Sequence, residues 1–147
     1  MTEKEPEAYQ QDNIFAQILR GKIPAVKLFE TDDCLAIMDA FPQSKGHALV
    51  IPKAPSRNIL DADPIQLAKI LPQVQKLAIA SKKAMNADGI RIAQFNETAA
   101  GQTVFHLHFH VIPAYDSKEL VKHASKMANA DELEVIAKKI RTEFSKL

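Results

Sequence analysis

A chain of 147 residues has the size of a single domain and is long enough to bury its own core. Its 46% hydrophobic and 25% charged residues sit at soluble globular averages and argue against disorder, collagen-like repeats and a membrane protein. Nineteen Lys and Arg against eighteen Asp and Glu leave a net charge of +1, too little for a field that gathers nucleic acid. The one cysteine, Cys34, makes no internal disulfide or Cys-based zinc site and reads as a small buried hydrophobe. The opening Met1-Thr2-Glu3-Lys4-Glu5-Pro6 lacks the apolar stretch of a signal peptide, so a reducing, cytoplasmic location is expected.

Residues 1–12 are polar and acidic with no apolar period, which predicts a flexible arm. Asn13 as N-cap, Ile14, Phe15, Ile18 and Leu19 on one face, and Gly21 as a left-handed stop predict a short amphipathic helix. Val26 to Glu30 and Cys34 to Asp39, separated by Thr31-Asp32-Asp33, read as a hairpin. His47 to Ile51 reads as a third strand that Pro52 ends. Asp63 as N-cap, Pro64 at the first helical position and Gln66 open a helix to about Asn86, with Leu67, Ile70, Leu71, Val74, Leu77 and Ala78 on its core face and a kink or break at Pro72. Ile90 to Phe95 is the fourth strand and Val104 to Ile112 the fifth and longest. Beyond Pro113 two helical segments are expected. One has Leu120, Val121, Ala124 and Met127 on a face; the other, capped by Asp131 and Glu134, has Leu133, Ile136, Ile140 and Phe144.

Side chains alternate along a strand, so a strand over 104–112 sets His106, His108 and His110 on one face and Phe105, Leu107, Phe109 and Val111 on the other. Three histidines in strict alternation take three apolar packing positions from one face, which favours a functional reading. Neighbours two apart stand about 7 Å from one another at Cα, near enough to couple. Zinc is one reading, but three residues of a flat strand cannot all point at one ion, and a metal would need a recruit such as His47. The other is imidazole as nucleophile and proton carrier at phosphorus. Gly101-Gln102-Thr103, directly before the row, offers backbone N–H groups, an amide and a hydroxyl suited to phosphate oxygens.

His106-Leu107-His108-Phe109-His110-Val111-Ile112 resembles the His-φ-His-φ-His-φ-φ signature, φ hydrophobic, of the histidine triad (HIT) superfamily of nucleotide hydrolases and transferases. Ile14-Phe15 before Ile23-Pro24, Met38-Asp39 before Phe41-Pro42, Gly46-His47 before Val50-Ile51-Pro52, and Gly101-Gln102-Thr103 are similar to family landmarks, nearest its Hint-like bacterial branch. The resemblance spans roughly residues 13–115. It implies an α+β fold: a five-stranded antiparallel sheet with one main helix and a short N-terminal helix, here followed by a helical extension over 116–147 that packs on the same domain. It also implies a homodimer. For chemistry it implies a covalent nucleotidyl-histidine on His108, with His106 and His110 orienting it and His47 joining a proton relay. Asp39 is then expected at the ribose, Ile14, Phe15 and Ile18 at the base, and Asn96, Gly101, Gln102 and Thr103 around the phosphate and leaving group. The expected activity is purine nucleoside phosphoramidase-type hydrolysis. Two alternatives stand beside it, a dinucleoside polyphosphate hydrolase and a nucleotide-binding interaction module with little turnover. Asn13 and Ala16 stand where some bacterial members have a zinc-binding Cys-x-x-Cys, so neither metal nor cofactor is expected. His123, with no motif around it, reads as a surface histidine.

Overall fold

Cys34–Met38 (β2) and Ala48–Pro52 (β3) are buried at every position, which a strand sustains where both faces of its sheet are covered. The computed structural model describes residues 7–122 and 126–147. With Lys27–Glu30 (β1), Gly89–Ala93 (β4) and Phe109–Ala114 (β5), these strands form a five-stranded antiparallel sheet in the order β1-β2-β3-β5-β4. The fold is α+β, as expected. One face carries the main core, in which Ala36, Val50, Leu107, Phe109 and Val111 meet Ile70, Val74 and Leu77 of the helix Pro64–Ala84. The opposite face carries a smaller cluster of Leu35, Ile37, Leu49 and Ile51, closed by Phe15 and Ile18 of the short helix Ile14–Leu19 (α1). Asn13 caps α1 by accepting the Ala16 N–H at 2.9 Å, and Gly21 follows it at φ +75°.

The Pro64–Ala84 helix (α2) runs without a break. Pro72 is exposed, and so is Ala68, whose carbonyl the missing N–H would have bonded, so water reaches the orphan acceptor. Leu71 is 60% exposed and does not belong to the core face, which instead takes in Ala80 and Ser81. Among the described residues, none around Leu120, Val121 and Met127 is helical, where a helix is expected. Val121 instead exchanges hydrogen bonds with Gln43, its N–H donating to the Gln43 carbonyl at 3.0 Å and its carbonyl accepting Gln43 Nε2 at 3.1 Å, and Val121 and Met127 are exposed. Ala124 and His123 lie outside the described residues. The last helix, Ala130–Phe144 (α3), is capped by Asn129, with Asp131 and Glu132 in its positive first turn. It buries Leu133, Ala137 and Ile140 in the main core, while Phe144 stacks on Phe29 with ring centroids 4.2 Å apart. Arg141 donates to the Lys27 carbonyl, so α3 also covers the outer strand β1.

The last helix therefore shares the core of the sheet. Ile140, fully buried, is the residue that reads this out. Ile140→Ala is expected to lower the unfolding free energy by about 2–5 kcal/mol in urea titrations, with one cooperative transition retained.

Candidate active site

The fifth strand is shorter than its alternating pattern. It pairs with β3 only from Val50↔Phe109 to Ala48↔Val111, and residues 104–108 lie outside the ladder, 104–106 as a bend. Pro52 has no N–H to give a continuing strand. The Leu107 N–H goes instead to the Ser56 carbonyl at 2.9 Å, and the Pro52 carbonyl takes His106 Nε2 at 2.7 Å. Only His110 of the triad is in a strand, where it projects to the α1 face opposite Phe109 and Val111. His106 and His108 come from the irregular approach, and Phe105 lies under the Arg57 guanidinium at 4.5 Å rather than in the core.

The bend brings the imidazoles together. The His108 and His110 rings are T-shaped with centroids 5.1 Å apart, and the Phe15 ring meets His108 edge-on at 4.7 Å. His47, from the turn before β3, reaches His110 with Nε2 to Nδ1 at 2.9 Å. His106, His110 and His47 are buried, whereas His108 is partly exposed.

Backbone groups fix the ring protons, because a carbonyl only accepts and an N–H only donates. Gln43 N–H donates to His47 Nδ1 at 3.0 Å, which leaves the proton of neutral His47 on Nε2. That proton is directed at His110 Nδ1, so neutral His110 carries its own on Nε2. His108 Nδ1 donates to the His106 carbonyl at 2.7 Å, which leaves the lone pair on His108 Nε2. His106 donates from Nε2 to Pro52, and its Nδ1 accepts from the Tyr9 hydroxyl at 2.6 Å. Tyr9 belongs to the segment expected as a loose arm, and sequence reasoning gave it no role.

Asp39 is 5% exposed, and its carboxylate faces the histidine pair. Oδ1 accepts the Phe41 N–H at 2.8 Å, while Oδ2 lies 3.3 Å from His47 Nε2 and 4.0 Å from His110 Nδ1. A carboxylate there balances a proton gained by the pair. Among the described residues, Asp39, His47 and His110 also form a group of donor atoms within 4.8 Å that could hold a metal. Two nitrogens on a tetrahedral zinc stand about 3.3 Å apart. The 2.9 Å between His47 and His110 is a hydrogen-bond distance, and both rings point the wrong way for a shared ion unless that bond opens. Asn13 and Ala16 supply no zinc ligand, Asn13 serving as the α1 cap.

The loop residues divide. Gln102 is 3% exposed and its amide is fully used: Oε1 accepts from Asn58 Nδ2 at 3.0 Å and Glu97 N–H at 2.8 Å, and Nε2 donates to the carbonyls of Arg57 at 2.7 Å and Val104 at 3.0 Å. It therefore builds the loop, leaving Gly101 and Thr103 as its exposed groups. Asn96 is tied to Gln94 and accepts the Ile59 N–H at 2.9 Å. Of the apolar set, Ile14 is 46% exposed, whereas Phe15 and Ile18 are buried in the smaller core. Arg57, 7% exposed, pairs with Glu97 at 2.6 Å and with Glu7 at 3.6 Å, and its hydrogen bond holds the Glu97 carboxyl below the usual range. The Arg57–Glu97 contact joins residues 40 apart, and no local pattern announces it.

Burial pushes the His106 ring below its ordinary value near 6.5, partly opposed by its bond to the Pro52 carbonyl. The unfolded chain then takes up a proton that folded His106 refuses. The stabilisation is full above about pH 6.5 and is lost as pH falls from there through the lowered folded value. Urea midpoints are expected to drop between about pH 7.5 and pH 5.5, and to drop less in His106→Gln.

A model of the HIT domain family matches residues 20–117. "Adenylylsulfatase HINT3" of Arabidopsis thaliana is 36% identical over 129 residues, covering 84% of this chain, which in turn spans 66% of that protein's length. "Adenosine 5'-monophosphoramidase hnt1" of Schizosaccharomyces pombe is 44% identical over 100 residues, 69% of this chain and 72% of that protein. Among solved structures, a Hit-like protein involved in cell-cycle regulation from Bartonella henselae, crystallised with an unknown ligand, superposes with a TM-score of 0.87 at 51% identity, covering 92% of this chain and 99% of that one. A Zn-bound histidine triad family protein from Mycobacterium smegmatis gives 0.81 at 32% identity, covering 92% and 95%. With its sheet shared by these structures and its middle and histidine row inside the matched region, the chain belongs to the HIT domain family.

Proposed function

We propose that this protein is a nucleotide hydrolase that cleaves the bond between the α-phosphate of a purine nucleoside 5′-phosphate derivative and an amine, through a covalent intermediate on His108. The observation that carries the reading is the hydrogen bond from His108 Nδ1 to the His106 carbonyl, which presents Nε2 as the nucleophilic nitrogen. The His108 Nε2 lone pair attacks the α-phosphorus, and the bond to the amine breaks as the amine takes the proton of His110 Nε2. The donated proton is the extra one of a protonated His47–His110 pair, whose positive charge Asp39 offsets. Water then attacks the nucleotidyl-His108 and gives a proton back to His110 Nε2, the phosphorus–nitrogen bond breaks, and the nucleoside monophosphate leaves. Ile14, Phe15 and Ile18 form the wall for the base, Asp39 lies within reach of the ribose side of the site, and Gly101, Thr103 and Asn96 lie on the phosphate side, with Gln102 shaping the loop. The names of the Schizosaccharomyces and Arabidopsis relatives support adenosine 5′-phosphoramidates and adenylyl sulfate as the substrates to compare.

The reading includes a homodimer acting in the cytoplasm. Its support is an apolar depression where Ile92 of the edge strand β4 and Leu71 of α2, 46% and 60% exposed, lie together. Such a strip beside an open sheet edge is commonly covered by a second copy. Light scattering at twice the chain mass supports the pairing, and a monomer across the micromolar range rejects it.

One substrate series tests the chemistry. His108→Ala should abolish both AMP release and the adenylylated species seen by intact mass, and equal labelling of wild type and variant would end the assignment. His110→Ala should slow an adenosine phosphoramidate by about 100-fold or more but adenylyl sulfate far less, because sulfate leaves without a proton. Equal losses on both substrates would deny His110 the role of proton donor.

A further inference from the structure

His106 is the one triad member that the steps above leave without a chemical task. Its position is nevertheless tightly set. The Pro52 carbonyl fixes the proton of the neutral ring on Nε2, so Nδ1 is an acceptor on a side chain only 1% exposed. A buried acceptor without a donor is destabilising, and the usual remedies are a tilt of the ring or an inserted water. Here the donor comes from the N-terminal segment: the Tyr9 hydroxyl lies 2.6 Å from Nδ1, with the two rings edge-on at 5.6 Å between centroids. That segment is itself held in place. Glu7 pairs with Arg57 at 3.6 Å, Asn13 Nδ2 donates to the Gln10 carbonyl at 2.7 Å, and Gln17 Nε2 donates to the Asp12 carbonyl. On its other side His106 gives its carbonyl to His108 Nδ1. A continuous line of hydrogen bonds thus runs from Tyr9 through His106 to the ring proposed as nucleophile.

We propose that Tyr9 is a positioning residue of the active site, its hydroxyl locking the His106 ring and, through the His106 carbonyl, the orientation of His108. The proposal rests on the hydrolytic reading for its effect on turnover, and on the hydrogen-bond geometry alone for its effect on His106. Tyr9 lies before the matched region 20–117, so the site is completed from outside it.

Long-range nitrogen–proton NMR of the imidazoles, on the full chain and on Tyr9→Phe, separates the two. In wild type, His106 should carry its proton on Nε2 with Nδ1 shifted by an accepted hydrogen bond, and Tyr9→Phe should move that Nδ1 resonance. With an adenosine phosphoramidate, kcat should fall about five- to tenfold, the loss of one hydrogen bond's worth of orientation, while KM stays within about twofold. A proton on His106 Nδ1 in wild type, an unmoved His106 resonance in the variant, or an unchanged kcat overturns the proposal. Wild type that turns over no nucleotide would defeat the hydrolase reading and the effect on kcat, while the spectra, which need no substrate, would still decide whether Tyr9 locks His106.

Discussion

The arrangement of this site depends on three backbone groups that hold His47, His106 and His108, with His110 held in turn by His47. Gln43 N–H, the His106 carbonyl and the Pro52 carbonyl have fixed polarity, so each decides which nitrogen of a neighbouring ring keeps a proton. Side-chain partners alone would leave every ring free to exchange tautomers with its neighbour. Here His47 is made a donor to His110 and His108 is made to present a lone pair before any substrate arrives. Such preset polarity spares the reaction a reorganisation step.

That polarity in turn depends on where the last strand begins. In a continued ladder the His106 carbonyl would be turned toward a neighbouring strand's N–H, whereas here it accepts from His108. Pro52 ends β3 with a residue that has no N–H, and its own carbonyl is taken by the His106 ring. Farther on, β5 resumes at Phe109 and sets His110 opposite Leu49, on the face closed by α1. The irregular approach to β5 thus leaves two linked pairs, His106 with His108 and His47 with His110.

Local signals in the sequence were sufficient for most elements and for the histidines themselves. Asn13, Asp63 and Gly21 mark helix ends because capping is settled within one turn of chain. The β1–β2 hairpin and the central strands follow from apolar runs between turn residues. Two patterns misled for a shared reason, since periodicity reports which side chains are apolar and not where backbone groups bond. Alternation over 104–112 reads as strand, yet Leu107 N–H goes to Ser56. Helical spacing through Val121 and Met127 reads as helix, yet Val121 pairs with Gln43. The saturated amide of Gln102 and the Arg57–Glu97 pair were illegible because they bring together residues about 40 apart on unrelated loops.

Segments near the start of the described chain and before its last helix both brace the histidines. Val121 and Ala128 hydrogen-bond the stretch Ala40–Gln43, and the same Gln43 whose carbonyl and amide are held there offers its N–H to His47. Tyr9 holds His106. The loop before the triad is fixed separately by Gln102, Asn58 and Arg57. A shift of a few tenths of an ångström in any of these supports is transmitted through single hydrogen bonds, because the buried rings have no slack in which to absorb it. The histidine signature alone therefore does not make the site. Its four rings act together only as accurately as three peripheral segments, two of them at the margins of the domain, keep the backbone groups that hold them in place.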